Sequence, residues 1–138
     1  MAEDNRFVIK IITPDRVFYD GLATMVEFNT TEGEVGIYKN HIPMTMIIKP
    51  GILYITDGDE QKMAALHAGF VEILKDQITI LAEIVEWPDE IDLNRAEAAK
   101  ERAEKRLSEK DPKTDIARAE TALLRSLARI STIREVRT

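Results

Sequence analysis

The chain has 138 residues, with 19 Lys and Arg against 25 Asp and Glu, a formal net charge of -6 and 44% hydrophobic residues. That length suits one domain of common size plus an appendage, and the mix is that of a globular protein rather than a disordered or membrane-spanning one. The acidic balance argues against a nucleic-acid binder, and the absence of cysteine excludes a disulfide framework, a thiolate metal site and a cysteine nucleophile. Apolar runs fall far short of a bilayer span, and the acidic opening at residues 1–5 has no signal-peptide pattern, so the expectation is a cytoplasmic protein.

These averages conceal a division. Residues 1–88 hold 14 acidic and 7 basic side chains, whereas residues 89–138 hold 11 and 12. All 6 glycines and all 8 aromatic residues precede position 89, and residues 89–138 are rich in Ala, Leu and charge. The chain therefore divides into a β-domain at 1–88 and a helical arm at 89–138.

In chain order, β-rich runs fall at Phe7–Ile12, 16–19, 25–28, Met44–Ile48, 52–56, 62–66, 69–74 and Gln77–Ala82. Turn signals separate them: Pro50-Gly51, Asp57-Gly58-Asp59 and Lys75-Asp76. Their spacing predicts an all-β sandwich. Trp87-Pro88 ends the pattern, because the residue before proline is pushed toward extended backbone. Asp92 then reads as the N-cap of a helix whose apolar stripe is Leu93, Ala96, Ala99 or Ala98, Ala103 and Leu107. Asp111-Pro112-Lys113 interrupts it. A second helix is expected from about Asp115 to Arg134, with Ile116, Ala119, Leu123, Leu127 and Ile130 as its seam. The short connection favours an antiparallel two-helix hairpin, and the small Ala side chains predict that it is held weakly. The fold class expected is thus an all-β sandwich followed by an α-helical hairpin.

Chemistry-bearing motifs are few. There is no phosphate loop, no dinucleotide fingerprint and no nucleophile elbow, and the three serines all lie in the helical arm. His67 reads as a turn or half-buried structural residue, and Asp89-Glu90 as helix-start charges. One cluster stands apart. Arg95 and Arg102 lie seven apart on the first helix and Arg125 and Arg129 four apart on the second, so an antiparallel hairpin turning at Pro112 sets the two pairs opposite one another. Guanidiniums so placed repel unless an anion lies between them, and their forks match phosphate oxygens. The competing expectation is that each Arg is solvated or paired with an acid such as Glu97, Glu101 or Glu104.

Several segments, in order, resemble the epsilon subunit of bacterial F-type ATP synthases: Gly33-Glu34-Val35-Gly36-Ile37-Tyr38, Asn40-His41-Ile42-Pro43, Lys49-Pro50-Gly51, Gly69-Phe70-Val71-Glu72-Ile73 and Ile91-Asp92-Leu93-Asn94-Arg95-Ala96. Lys39-Asn40 stands where many relatives carry Pro-Gly or similar turn residues. The resemblance implies a non-catalytic central-stalk rotor subunit, whose β-sandwich binds the gamma subunit and rests on the c-ring. The turn carrying Glu34 and His41 would contact those neighbours. It also implies a hairpin that folds against the sandwich or extends along gamma into the hexamer of alpha and beta subunits, where it blocks ATP hydrolysis. The segment Ile91 to Ala96 is similar to the family's ATP-binding signature. By that resemblance Glu86, Ile91, Asp92 and Ala96 would surround the adenine, and Arg95, Arg102, Arg125 and Arg129 would contact phosphates. ATP, with or without magnesium, would be a regulatory ligand and not a catalytic cofactor. The implied location is the cytoplasmic face of the bacterial membrane, peripheral. The alternative is a purely structural rotor subunit whose arginines meet neighbouring subunits and not nucleotide.

Overall fold

The computed structural model describes residues 4–138; of the acidic opening, residues 1–3 lie outside the described residues. Ten strands are formed among the described residues: β1 (Phe7–Ile12), β2 (Val17–Ala23), β3 (Met25–Thr30), β4 (Gly33–Ile37), β5 (Met44–Ile48), β6 (Gly51–Asp57), β7 (Glu60–Leu66), β8 (Gly69–Ile73), β9 (Gln77–Ala82) and β10 (Val85–Glu86). A 3-10 turn over Pro88–Glu90 leads into α1 (Leu93–Glu109) and α2 (Ile116–Arg137). The hydrogen-bonded order β10-β7-β6-β3-β5-β8-β9-β1-β2, with β4 on β3, wraps the sheet around a single interior. All pairings are antiparallel except β1 with β9. Alternation supplies the core: Ile9 and Ile11 of β1, Leu53 and Ile55 of β6, Val71 and Ile73 of β8, and Ile78 and Ile80 of β9 are all buried.

The β-sandwich and the hairpin agree with the expected fold class. Two strands lie outside the sequence-based expectation. β4 falls on the Gly33-Glu34-Val35-Gly36-Ile37 segment, where two glycines mask the alternation, and β10 is only two residues long. Glu34 therefore lies in a strand, opposite Asn29 of β3, and not in a turn. His41 does lie in the 38–43 connection, where Nδ1 is 2.7 Å from the Ile42 carbonyl. In that connection Asn40 takes a φ of +67°, its short polar side chain tolerating the left-handed region.

Trp87 closes the β-domain. Its ring stacks on Phe18 at 4.3 Å, and its backbone N–H donates to Glu90, which Arg16 grips through both carboxylate oxygens at 2.8 Å. The hydrogen bonds from Arg16 and from the Trp87 backbone hold the Glu90 carboxyl below the usual range. The chain thus leaves the sandwich along a fixed path.

Both helices start as their sequences direct. Asp92 accepts from the Arg95 N–H at 3.1 Å and Asp115 from that of Arg118 at 3.1 Å. The seam is narrower than expected. Ala96 and Ala103 of α1 meet an α2 face that buries Ala119, Ser126 and Ile130, whereas Ile116 is 60% exposed and Leu127 also reaches solvent. The reason is that α2 serves two neighbours. It packs on β6 and β7 as well as on α1, so Ala128 and Thr132, which lie off the Ala119–Ser126–Ile130 face, are buried as well. α1 lies outermost and is supported chiefly by α2.

Candidate functional site

The boundary between the β-domain and α2 is where charge concentrates. Strand β10 pairs with β7 in the register Glu86↔Ala65 and Val85↔Leu66, which carries Glu86 to the edge that α2 crosses. Arg129 Nε donates to Glu86 Oε1 at 2.7 Å, and four residues earlier on the same face Arg125 Nη2 donates to Glu83 Oε2 at 2.9 Å. His67 Nε2 also lies 3.0 Å from Glu86 Oε1. Burial alone would raise the Glu86 carboxyl, but the hydrogen bonds from His67 and Arg129, with the Arg129 charge, outweigh it and hold it below the ordinary value.

The residues expected to form a nucleotide site are therefore brought together in part. Glu86, Arg125 and Arg129 share this boundary. Ala96 is buried in the helix seam, Ile91 is half-buried beside it in sequence, and exposed Asp92 caps α1. Arg95 and Arg102 are exposed on α1, and among the described residues neither forms an ion pair. Of the acids expected as partners, Glu104 instead meets Lys100 of its own helix at 3.5 Å, and among the described residues Glu97 and Glu101 form no ion pair. Sequence reasoning missed Glu83. His67, read as a turn or half-buried structural residue, is fully buried, because the strand pairing that encloses it joins residues nineteen apart.

The arrangement fits an anion in one respect and resists it in another. Arg125 Nε is buried with no hydrogen-bond partner, an orphan donor beside the boundary. Yet Arg125 and Arg129 already hold carboxylates, so the mutual repulsion that pointed to a bound anion is relieved within the chain itself.

A separate cleft lies on the other side of α2's contact with the sheet. A cavity of about 510 Å³ opens between α2 and the β3–β4 and β6 surface, lined by Leu124, Leu127, Tyr54, Glu27 and Glu34 among others. Burial, followed by the charges of Glu135, Glu27 and Glu34, raises the Tyr54 phenol, so this cleft is acidic and unsuited to a triphosphate.

The chain thus joins a β-sandwich to a helical hairpin docked on its edge. The family model for the β-sandwich domain of ATP synthase delta/epsilon chains matches residues 6–88, and the model for their long α-helix domain matches residues 89–134. The chain belongs to this family, as an epsilon chain, a non-catalytic subunit of ATP synthase. It is 44% identical over 128 residues to the ATP synthase epsilon chain of Caldanaerobacter subterraneus subsp. tengcongensis, covering 92% of this chain and 93% of that one. With the epsilon chain of Clostridium novyi it shares 42% over 128 residues (92% and 97% covered). With that of Caldicellulosiruptor saccharolyticus it shares 39% over 137 residues (99% and 98%). In fold it is similar to a chain of the Euglena gracilis mitochondrial ATP synthase, OSCP/F1/c-ring in rotational state 1, with TM-score 0.81 and 18% identity, covering 100% of this chain and 85% of that one. No helix among the described residues is long and apolar enough to cross a membrane.

Proposed function

We propose that this chain is a central-stalk rotor subunit that restrains ATP hydrolysis through its helical hairpin, and that ATP favours the docked hairpin over an extended one. In this reading the β-sandwich binds the gamma subunit and the c-ring at the cytoplasmic face of the bacterial membrane, with Glu34 and His41 among its contacts. The extended hairpin meets the alpha and beta subunits. The likeness in fold to a chain from the Tetrahymena thermophila mitochondrial central stalk and c-ring structure (TM-score 0.56, 14% identity, 96% of both chains covered) is consistent with this setting.

The observation that carries the reading is the make-up of the hairpin contact. α1 is held by a seam of alanines, and α2 is held at its arginine face by two ion pairs within reach of Glu86. Such an element has a small gap between docked and free states, and a ligand that touches both parts can shift it. Glu86, Ile91, Asp92 and Ala96 would hold the base; Arg95, Arg102, Arg125 and Arg129 would hold the phosphates. When bound, the triphosphate supplies negative charge that Arg95 and Arg102 otherwise lack. Arg125 would exchange Glu83 for a phosphate oxygen and satisfy its buried Nε. Among the described residues no three His, Asp or Glu side chains converge as a metal site, so magnesium would be held through the phosphates.

Isothermal titration of ATP into the isolated chain tests this. Binding is expected in the native protein, and Arg125→Ala is expected to weaken it by about tenfold or more, the loss of a charge-assisted hydrogen bond. Unchanged binding in a folded Arg125→Ala variant would sink the site. The second reading, in which the arginines serve only subunit contacts, draws support from the carboxylates that Arg125 and Arg129 already hold. It predicts no ATP binding at millimolar concentration.

A further inference from the structure

His67 occupies an unusual position for a polar side chain: it is fully buried, next to a half-buried carboxylate, at the place where the hairpin meets the sandwich. Strand geometry explains how it arrives there. In the antiparallel β7–β10 ladder Glu86 faces Ala65, and the pairing runs on past the strand ends as the His67 N–H donates to the Ile84 carbonyl at 3.1 Å. His67 lies two residues beyond Ala65, hence on the same face, and so becomes the diagonal neighbour of Glu86.

Glu86 is long and, left alone, would move among many rotamers. Here both of its hydrogen bonds converge on one oxygen, Oε1, from His67 below and from Arg129 above. We infer that His67 is the positioning residue of a latch between the two parts of the chain: it fixes the Glu86 carboxylate so that Oε1 meets Arg129, docking α2 on the sandwich with no nucleotide present. An ionised carboxylate only accepts, so Nε2 carries the proton in this bond. Nδ1 is buried and has no partner, which suits a bare lone pair better than a stranded N–H. The ring is therefore the Nε2–H tautomer. Glu83 and Arg125 form a parallel link one turn away, but Glu83 is mostly exposed and nothing orients it from beneath.

This latch shares Glu86 and Arg129 with the nucleotide site proposed above but does not rest on that reading. Its test uses the full chain without nucleotide. His67→Gln places an amide N–H near the position of Nε2, whereas His67→Asn places one nearer Nδ1. Hydrogen exchange of α2 amides around Arg125 and Arg129, followed against core amides such as Ile9 and Ile80, is the readout. His67→Asn should lose about tenfold in α2 protection with the core unchanged, and His67→Gln should stay within about threefold of native. In an Arg129→Gln background His67→Asn should change α2 protection by less than about twofold, because the partner it positions for is gone. Equal protection in the Gln and Asn variants, or a full-sized Asn effect without Arg129, would overturn the inference. Should either variant disturb the core, long-range proton–nitrogen NMR of the native imidazole decides: an Nε2–H ring supports the latch and an Nδ1–H ring rejects it.

Discussion

Enlarging the helix seam should release α1 while leaving the sandwich intact, and Ala103→Leu is the sharpest such change. Ala103 is 2% exposed and packs against α2, with Ala96 on the same stripe and Ala119 on the facing helix. Three buried methyls stabilise the seam by about 2.4 kcal/mol at about 0.8 kcal/mol each. Forcing a Leu side chain into a site filled by Ala costs about 1–3 kcal/mol. Taking about 2 kcal/mol, the undocked fraction of α1 rises from about one molecule in sixty to about one in three. A free 17-residue helix is marginal in water, so release also melts it. Far-UV circular dichroism should therefore fall, and exchange protection over α1 should collapse while β9 and β1 keep theirs. Native ellipticity and native α1 protection in Ala103→Leu would refute the picture of a tight, shallow seam.

Other contacts give further expected outcomes. A Cβ at Gly69 would lie 2.1 Å from the Leu81 carbonyl oxygen and 2.7 Å from the Ala82 Cα, both backbone, so Gly69→Ala should destabilise the sandwich by about 3 kcal/mol in urea melts. Gly36→Ala meets nothing closer than 3.7 Å and should stay within about 0.5 kcal/mol of native in the same melts. Because the Glu86 carboxyl is held below its ordinary value of 4.5, its contribution is present above that pH and fades as pH falls through the lowered value. α2 protection should thus decline in acid below about pH 4.5, and Glu86→Gln should flatten that part of the profile. Asp115→Ala removes the N-cap of α2 and should cost about 1 kcal/mol, seen as exchange at Arg118 and its neighbours.

Much of the fold was legible because it rests on local periodicity. Phe7–Ile12, Met44–Ile48 and Gln77–Ala82 alternate or run apolar between turn residues, and the structure makes them strands with those bounds. Asp92 and Asp115 stand one residue before their helices and cap them. β4 was hidden because Gly33 and Gly36 leave only Val35 and Ile37 to mark an inward face. The α2 seam was misjudged in part: a single helix must satisfy two partners, and a stripe drawn for one of them cannot show that Ala128 and Thr132 are buried while Ile116 is left in water.

The charges divide in the same way. Composition and spacing determine that acid belongs to the β-domain, that arginines recur at helical spacing in the arm, and that the first helix carries few large apolar side chains. They do not determine which acid an arginine meets. Glu97, Glu101 and Glu104 were the near candidates in sequence, yet Arg125 and Arg129 reach Glu83 and Glu86, forty-two and forty-three residues away. That choice depends on strand register, which a one-residue slip would reverse, and on the docking of α2 across the sheet edge. Local chemistry writes the elements; only the closed structure sets a buried imidazole under a carboxylate and that carboxylate under an arginine, because each of those contacts joins parts of the chain that have no local reason to meet.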